Sequence, residues 1–262
     1  MDDVVYSRAG RGEPLVLIHG IGHRRQAWDA VLPLLTPHRD VIAIDLPGFG
    51  ESPESKTGYG VESAVEMFEK FCAELGLERP HVAGNSLGGL LSLAFGEAGL
   101  VRSVTALSPA GIWTRPGALW AFAMLAAHRR LAERMPEPLV RRVAATTAGR
   151  IALAGMIFAK PWLIPPDKLV SDALAFGAAP GFAPTLAKAR EGFAFHGSVP
   201  DIPVTIAWGR HDRLLARPKA VELRKIAPQV ELVTLPGCGH TPMSDAPELV
   251  ARVLLEGSTN NG

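Results

Sequence analysis

The chain has 262 residues, of which 47% are hydrophobic and 20% charged, with a formal net charge of +1. That length allows one large α/β domain with a substantial core, or a domain carrying an insertion. The charge balance leaves no global field to draw the protein to nucleic acid or to a membrane, and two cysteines, Cys72 and Cys238, are too few for a disulfide scaffold or a metal cluster.

The start, Met1-Asp2-Asp3, is acidic and has no apolar signal core, which points to the cytoplasm. Val4 to Ser7 is a short first strand. Pro14 to Ile18 is a short apolar run ending in a turn and reads as a buried strand. Trp28 to Leu35 is helix-like. Val41 to Asp45 is a further buried strand, followed by the Pro- and Gly-rich loop Leu46-Pro47-Gly48-Phe49-Gly50-Glu51-Ser52. Val61 to Leu75 is an amphipathic helix with Gly76 as its C-cap. The strand His81-Val82-Ala83 leads through Gly84-Asn85-Ser86-Leu87-Gly88 into a helix, and Val101 to Leu107 is the next strand.

Strands that are apolar throughout and alternate with helices imply a parallel sheet covered on both faces. The alternation stops at Ile112. Residues 112–199 are rich in Ala, Leu, Arg and Pro and read as short helices. It resumes with a strand at Ile202 to Gly209, a helix at Lys219 to Ile226, a strand at Val230 to Leu235 and a helix at Pro247 to Leu255; the tail from Gly257 reads as disordered. The expected organisation is a core of residues 1–111 and 200–262 with a helical lid of 112–199. The longest apolar stretch, Gly117 to Ala127, is too short to span a bilayer.

Gly84-x-Ser86-x-Gly88 between a strand and a helix is the context of a nucleophile elbow, which forces the serine into a strained turn that only small neighbours tolerate. The same five residues also fit an ordinary N-cap serine in a glycine-rich turn. A serine hydroxyl needs a base, an acid that orients the base, and oxyanion donors. His240 in Gly237-Cys238-Gly239-His240 follows the last strand and is the candidate base; His128 and His196 fall in the insertion, and His23, His38, His81 and His211 lie in no loop that faces Ser86. Asp212 follows the strand at Gly209 and is the candidate acid. Asp201 lies at the wrong end of its strand, Asp245 reads as an N-cap with Glu248 completing a capping box, and Asp45 precedes Ser86 in the chain. The oxyanion donors are expected to be the backbone N–H groups of Leu87, at a helix start, and Ile21, with Gly22 as rival. His19 reads as structural, Cys238 as a small loop residue and Cys72 as helix core.

The segments His19 to Gly22, Asp45 to Ser52, Gly84 to Gly89, Trp208 to Asp212 and Gly237 to His240 resemble the α/β-hydrolase superfamily, most closely its capped serine branch of esterases, cofactor-free haloperoxidase-like enzymes and carbon–carbon bond hydrolases. The resemblance covers roughly residues 4–111 and 200–256. It implies a triad of Ser86, Asp212 and His240, a mostly parallel doubly wound sheet with the cap inserted after the sixth strand, and no metal or cofactor. The family usually has two strands before the Pro14 strand and this chain has room for one, so a shortened N-terminal sheet edge is expected. Serine argues against dehalogenases and epoxide hydrolases, which use aspartate as nucleophile. His23 where the carbon–carbon hydrolases continue Gly-Pro-Gly, and Thr241 where they often carry tryptophan, argue against that subgroup.

Trp113 to Val199 carries eleven Lys/Arg against five Asp/Glu, read as a solvated face or as attraction for anionic substrates or an acidic lipid surface, with Arg24 and Arg25 adding to it. Its large apolar side chains are Trp113, Trp120, Phe122, Met124, Met156, Phe158, Trp162, Phe176, Phe182 and Phe193, most expected to pack the lid onto the core with three or four lining a pocket; Trp113, Trp120, Met124, Met156, Phe158 and Trp162 are the candidates for substrate contact. Such walls favour an acyl or aromatic group at ~25 cal/mol per Å². The expected activity is hydrolysis of a small to medium, mainly apolar carboxylic ester. A carbon–carbon bond hydrolase, a lactonase or thioesterase, and a non-catalytic ligand sensor on the same fold are the alternatives; the expected partner is a small carbonyl compound, and oligomeric state stays open.

Overall fold

The computed structural model describes residues 4–192, 194–199 and 201–259. Seven strands form one sheet in the order β1-β3-β2-β4-β5-β6-β7. They are β1 (Tyr6–Gly10), β2 (Pro14–Ile18), β3 (Asp40–Ile44), β4 (His81–Asn85), β5 (Ser103–Leu107), β6 (Val204–Gly209) and β7 (Glu231–Leu235). All neighbours pair parallel except β1, an exposed edge strand that runs antiparallel to β3. Among the described residues one strand, β1, precedes β2. The insertion follows β5, the fifth strand of this chain, which corresponds to the sixth in a sheet that keeps both leading strands.

The central strands β4 and β5 are buried along their whole length. One layer of core joins Val16, Ile18 and Val82 to Phe68 and Phe95, whose rings stack 4.1 Å apart. These come from α2 (Val61–Leu75) and α3 (Leu87–Glu97). The other layer packs Leu15, Leu17 and Ala83 against Trp28, Val250 and Leu254. Both faces of the sheet are thus covered, which explains the unbroken apolar strands.

The predicted helix at Trp28 to Leu35 is two short pieces, a 3₁₀ turn at Arg25–Trp28 and α1 (Leu32–Leu35), because Pro33 lacks an N–H to extend a longer ladder. Gly76 caps α2 at φ 63°. No strand occurs among the described residues between β5 and β6. That span holds α4 (Arg115–Arg134), α5 (Glu137–Ala144), α6 (Thr147–Ala154), α7 (Pro166–Ala178) and α8 (Phe182–Gly192). After β6 come α9 (Ala220–Ile226), α10 (Pro242–Asp245) and α11 (Pro247–Gly257). The predicted tail begins too early: α11 reaches Gly257, and buried Ser258 accepts from Arg39 Nε at 3.1 Å while its carbonyl accepts from Nη2 at 2.8 Å. Residues 260–262 lie outside the described part. No described helix is long and apolar enough to cross a membrane.

Candidate active site

Ser86 ends β4 and begins α3 with φ 56° and ψ −113°. An N-cap serine sits in the extended region and accepts a bond from the first turn. Ser86 does neither: its side chain makes no cap bond. The two motif glycines explain how the strain is held. A Cβ on Gly84 would lie 2.1 Å from the Gly88 carbonyl oxygen, and one on Gly88 would lie 2.2 Å from that of Ile18. The helix start is therefore pressed against its own strand and against β2, and any larger residue at either position would push Ser86 out. The Ser86 amide donates to Leu107 O at 2.9 Å, and its carbonyl accepts from Ala110 N at 2.9 Å.

His240 and Asp212 come from the loops after β7 and β6. His240 Nδ1 lies 2.9 Å from Asp212 Oδ2. Asp212 Oδ1 accepts the N–H groups of Leu214 (2.9 Å) and Leu215 (2.8 Å), which fixes the carboxylate plane. Burial pushes the Asp212 carboxyl up, but the charge and hydrogen bond of His240 and the two backbone donors outweigh it and hold the group below the usual carboxylate range. An ionised acceptor at Nδ1 leaves Nε2 of a neutral ring free as a base. The two loops touch: His211 N donates to Cys238 O at 2.9 Å.

The loop after β2 lies against Ser86, since a Cβ on Gly20 would meet Ser86 Cβ at 3.2 Å. His23 N donates to Gly20 O at 3.1 Å, closing a turn with Gly22 at φ 75°. That turn uses neither the Ile21 nor the Gly22 N–H. Leu87 is the first residue of α3, so its N–H has no acceptor within the helix. His19 holds the loop from behind. Its Nδ1 donates to Gly20 O (2.8 Å) while Nε2 accepts from Leu46 N (2.9 Å), a pattern only the neutral ring can satisfy. Burial pushes its pKa down to about 4.

Ser86 and His240 line one cleft of about 1060 Å³, open mouth included, together with Gly20, Ile21 and Gly22. Of the six proposed substrate contacts, Met124, Met156 and Phe158 line it. The three tryptophans do not. Trp113 packs edge-on against Phe122 at 5.3 Å and faces a separate surface cleft. Trp120 and Trp162 are exposed, the former with its indole N–H on Arg213 O at 3.2 Å. Large indoles far from the elbow in sequence gave no cue to which helix face turns inward. Phe193 lies outside the described residues. Phe176 lines the cleft, and so do His23 and His128, which the sequence placed away from Ser86. His128 does so because α4 folds back over the elbow. Its Nδ1 donates to Met124 O at 2.9 Å, so a neutral ring would present Nε2 as an acceptor.

Asp45 is engaged away from His240: it pairs with Arg25 and accepts the Arg25 and Glu51 amides at 2.6 and 3.0 Å. Arg25 also binds Glu51 at 2.9 Å, and Arg24 binds Ser171 at 2.6 Å and lies 3.8 Å from Asp172, so each has a carboxylate partner. Asp245 is no N-cap. Ala246 holds that position without a side-chain bond. Instead Asp245 Oδ2 accepts Gly239 N (2.8 Å) and Ala159 N (2.9 Å), and Oδ1 accepts Lys160 N (2.9 Å). Ile157 O in turn accepts His240 N at 2.8 Å and Thr241 N at 3.2 Å. The insertion is thereby stitched to the loop carrying His240. Cys238 is buried and its thiol is pushed up to about 11, chiefly by burial and then by Asp245.

A strained serine at the carboxyl end of a central parallel strand, with a bonded histidine–aspartate pair at the same cleft, is the arrangement of an α/β hydrolase. The chain belongs to the alpha/beta hydrolase family, which it matches over residues 15–253. It is 28% identical over 256 residues to the dihydrolipoyllysine-residue acetyltransferase component of the acetoin cleaving system of Pseudomonas putida, covering 93% of this chain and 63% of that protein. It is 46% identical over 91 residues to a 2-hydroxy-6-oxo-2,4-heptadienoate hydrolase of Pseudomonas putida, 33% of each chain. The chain thus spans less than two thirds of the length of these curated relatives. Among solved structures it resembles a membrane phospholipase A, described as a bacterial virulence factor, with TM-score 0.75 and 25% identity over 98% of this chain and 84% of the other.

Proposed function

We propose that the protein is a serine hydrolase that cleaves a small to medium, mainly apolar carboxylic ester through an acyl-enzyme. The observation that carries this reading is the strained Ser86 sharing an apolar cleft with His240, whose Nδ1 is 2.9 Å from Asp212. His240 Nε2 takes the Ser86 proton as Oγ attacks the ester carbonyl. The N–H groups of Leu87 and of Ile21, with Gly22 as rival, receive the oxyanion. The tetrahedral intermediate collapses, and the His240 imidazolium returns the proton to the leaving alcohol. Water deprotonated by His240 then attacks the acyl-enzyme and releases the acid. Asp212 keeps the ring in the working tautomer and stabilises its cation. Residues 112–199 act as a lid whose inner face selects the acyl group. The likeness to a phospholipase supports an acyl ester as the substrate class.

The test is Ser86→Ala on a series of nitrophenyl esters of rising chain length. We expect kcat to fall at least roughly 10,000-fold in folded protein. Retained turnover, or failure of wild-type Ser86 to react with a fluorophosphonate, removes the assignment. The second reading, hydrolysis of a carbon–carbon bond in a vinylogous diketone, is favoured by the 46% identical stretch shared with a 2-hydroxy-6-oxo-2,4-heptadienoate hydrolase. Fast turnover of a ring-fission product with poor ester hydrolysis would select it.

A further inference from the structure

The net charge of +1 conceals a local imbalance. The insertion's carboxylates are already engaged: Glu133 by Arg129, Glu137 and Asp167 by Arg141, Asp172 by Lys168 and Glu191 by Lys188. Arg115, Arg130, Arg134, Arg142 and Arg150 of the insertion, and Arg213 beside it, are left without a carboxylate partner among the described residues.

The same region exposes large apolar side chains. Trp120, Leu131, Ile151, Trp162 and Leu163 are each between 47% and 64% exposed. Hydrogen bonds tie most of them into one surface. The Trp120 indole donates to Arg213 O at 3.2 Å, the Arg213 guanidinium binds Gly155 O, and Gly155 N donates to Ile151 O at 2.9 Å. One residue before Ile151, the Arg150 guanidinium donates to Trp162 O at 3.2 Å. Leu131 lies eleven residues after Trp120 on α4, about three turns on at 3.6 residues per turn, and so on the same helix face. Leu131 also lines the cleft that holds Ser86, so the cleft reaches the surface on this face.

Exposed indoles and aliphatic chains beside Arg150 and Arg213, which bond backbone carbonyls and keep their charge without a carboxylate partner, match the chemistry of an anionic bilayer. Apolar tips enter the acyl boundary, and guanidinium groups stay with the phosphates. We propose that this face of the insertion docks on an anionic lipid bilayer, and that acyl chains pass from there past Leu131 into the cleft. The substrate class thus becomes an acyl ester presented at a lipid surface. This rests on the ester reading for its chemistry, but the docking itself does not.

The experiment is cosedimentation with phosphatidylcholine vesicles, with and without phosphatidylglycerol, for wild type and the double variant Trp162→Ser, Leu163→Ser. Neither residue lines the cleft. Wild type should bind the anionic vesicles, bind pure phosphatidylcholine far less, and detach as salt rises. The double variant should bind on the order of tenfold more weakly, from the loss of two buried apolar groups. It should hydrolyse a vesicle-borne long-chain nitrophenyl ester correspondingly slower, and a water-soluble short ester at the wild-type rate. Wild-type salt dependence stands as evidence even if the variant misfolds. The proposal is overturned if wild type ignores anionic vesicles, if the variant binds as well as wild type, or if sedimentation velocity shows a dimer that the double substitution dissolves. Vesicle binding without ester turnover would remove the ester reading and leave the docking surface standing.

Discussion

The Asn85 side-chain amide donates to the backbone carbonyl of His240 at 2.9 Å and to that of Leu107 at 3.1 Å. Both partners are acceptors, so the orientation of the amide is settled by the network. The residue beside Ser86 thus fixes the loop that carries His240, across 155 positions of sequence.

Replacing Asn85 with Ala removes the side-chain donor to the His240 carbonyl, while Leu107 O keeps the Ser86 N–H. The expected cost is about 1–3 kcal/mol of stability, together with a loss of kcat of roughly tenfold or more as His240 drifts from Ser86. Urea unfolding and ester kinetics on the same preparation check this. Unchanged kcat would show that His240 is held by other contacts.

Asp245 braces the same loop from the insertion side. Asp245→Asn turns an amide N–H toward backbone donors that now meet a carboxylate oxygen. The fluorophosphonate-reactive fraction counts correctly formed sites. Per reactive site, kcat should fall on the order of tenfold, KM should change little, and the kinetic pKa of the base should move. A purely structural role would lower the reactive fraction and leave the pH profile of the remainder as in wild type.

Acid should destabilise the fold in a defined window. His19 titrates at 6.5 when unfolded and at about 4 when folded. Between those values the unfolded chain holds the extra proton, so stability falls as pH falls, by on the order of 3 kcal/mol for this group. Burial lowers His23 and His81 in the same direction. Asp212, held below the usual carboxylate range, adds a loss at still lower pH as its native carboxylate is protonated. Urea unfolding at pH 7.5 and pH 4.5 should show a clear fall in the midpoint at the lower pH. A flat profile would mean that His19 already carries its proton, contrary to the Leu46 N–H that its Nε2 accepts.

Ala173 lines the cleft from α7. Enlarging it to Phe should raise KM for long-chain esters by about tenfold while short esters are turned over as before, because only the longer chains need that volume. Equal effects on both would place the acyl chain elsewhere.

Both thiols are buried. Cys72 is pushed up to about 12 and Cys238 to about 11. Neither should react with an aromatic disulfide reagent at neutral pH until the protein is unfolded. Fast labelling of Cys238 in native protein would show that the His240 loop opens.

Local chemistry made much of the fold readable. Apolar strands, the Gly76 cap and the glycines flanking Ser86 act over a few residues, so periodicity and turn residues report them directly. One boundary slipped for a local reason, Pro33 splitting a helix, and another for a distant one, the tail anchored by Arg39 from 219 positions earlier. Asp245 was misread because an acid before a helix is usually a cap, and its real partners, Ala159 and Lys160, lie more than eighty residues earlier.

The elbow, the order of strands and helices, and a serine, aspartate and histidine each beside a strand end are legible in the chain, because they depend on short-range backbone geometry. Which face of α4 looks at Ser86 is set by packing. That packing brought His128 and Phe176 into the cleft and left Trp120 and Trp162 in solvent. Helix orientation in the insertion is a packing outcome set by distant neighbours such as Arg213, and no short stretch of sequence carries that information.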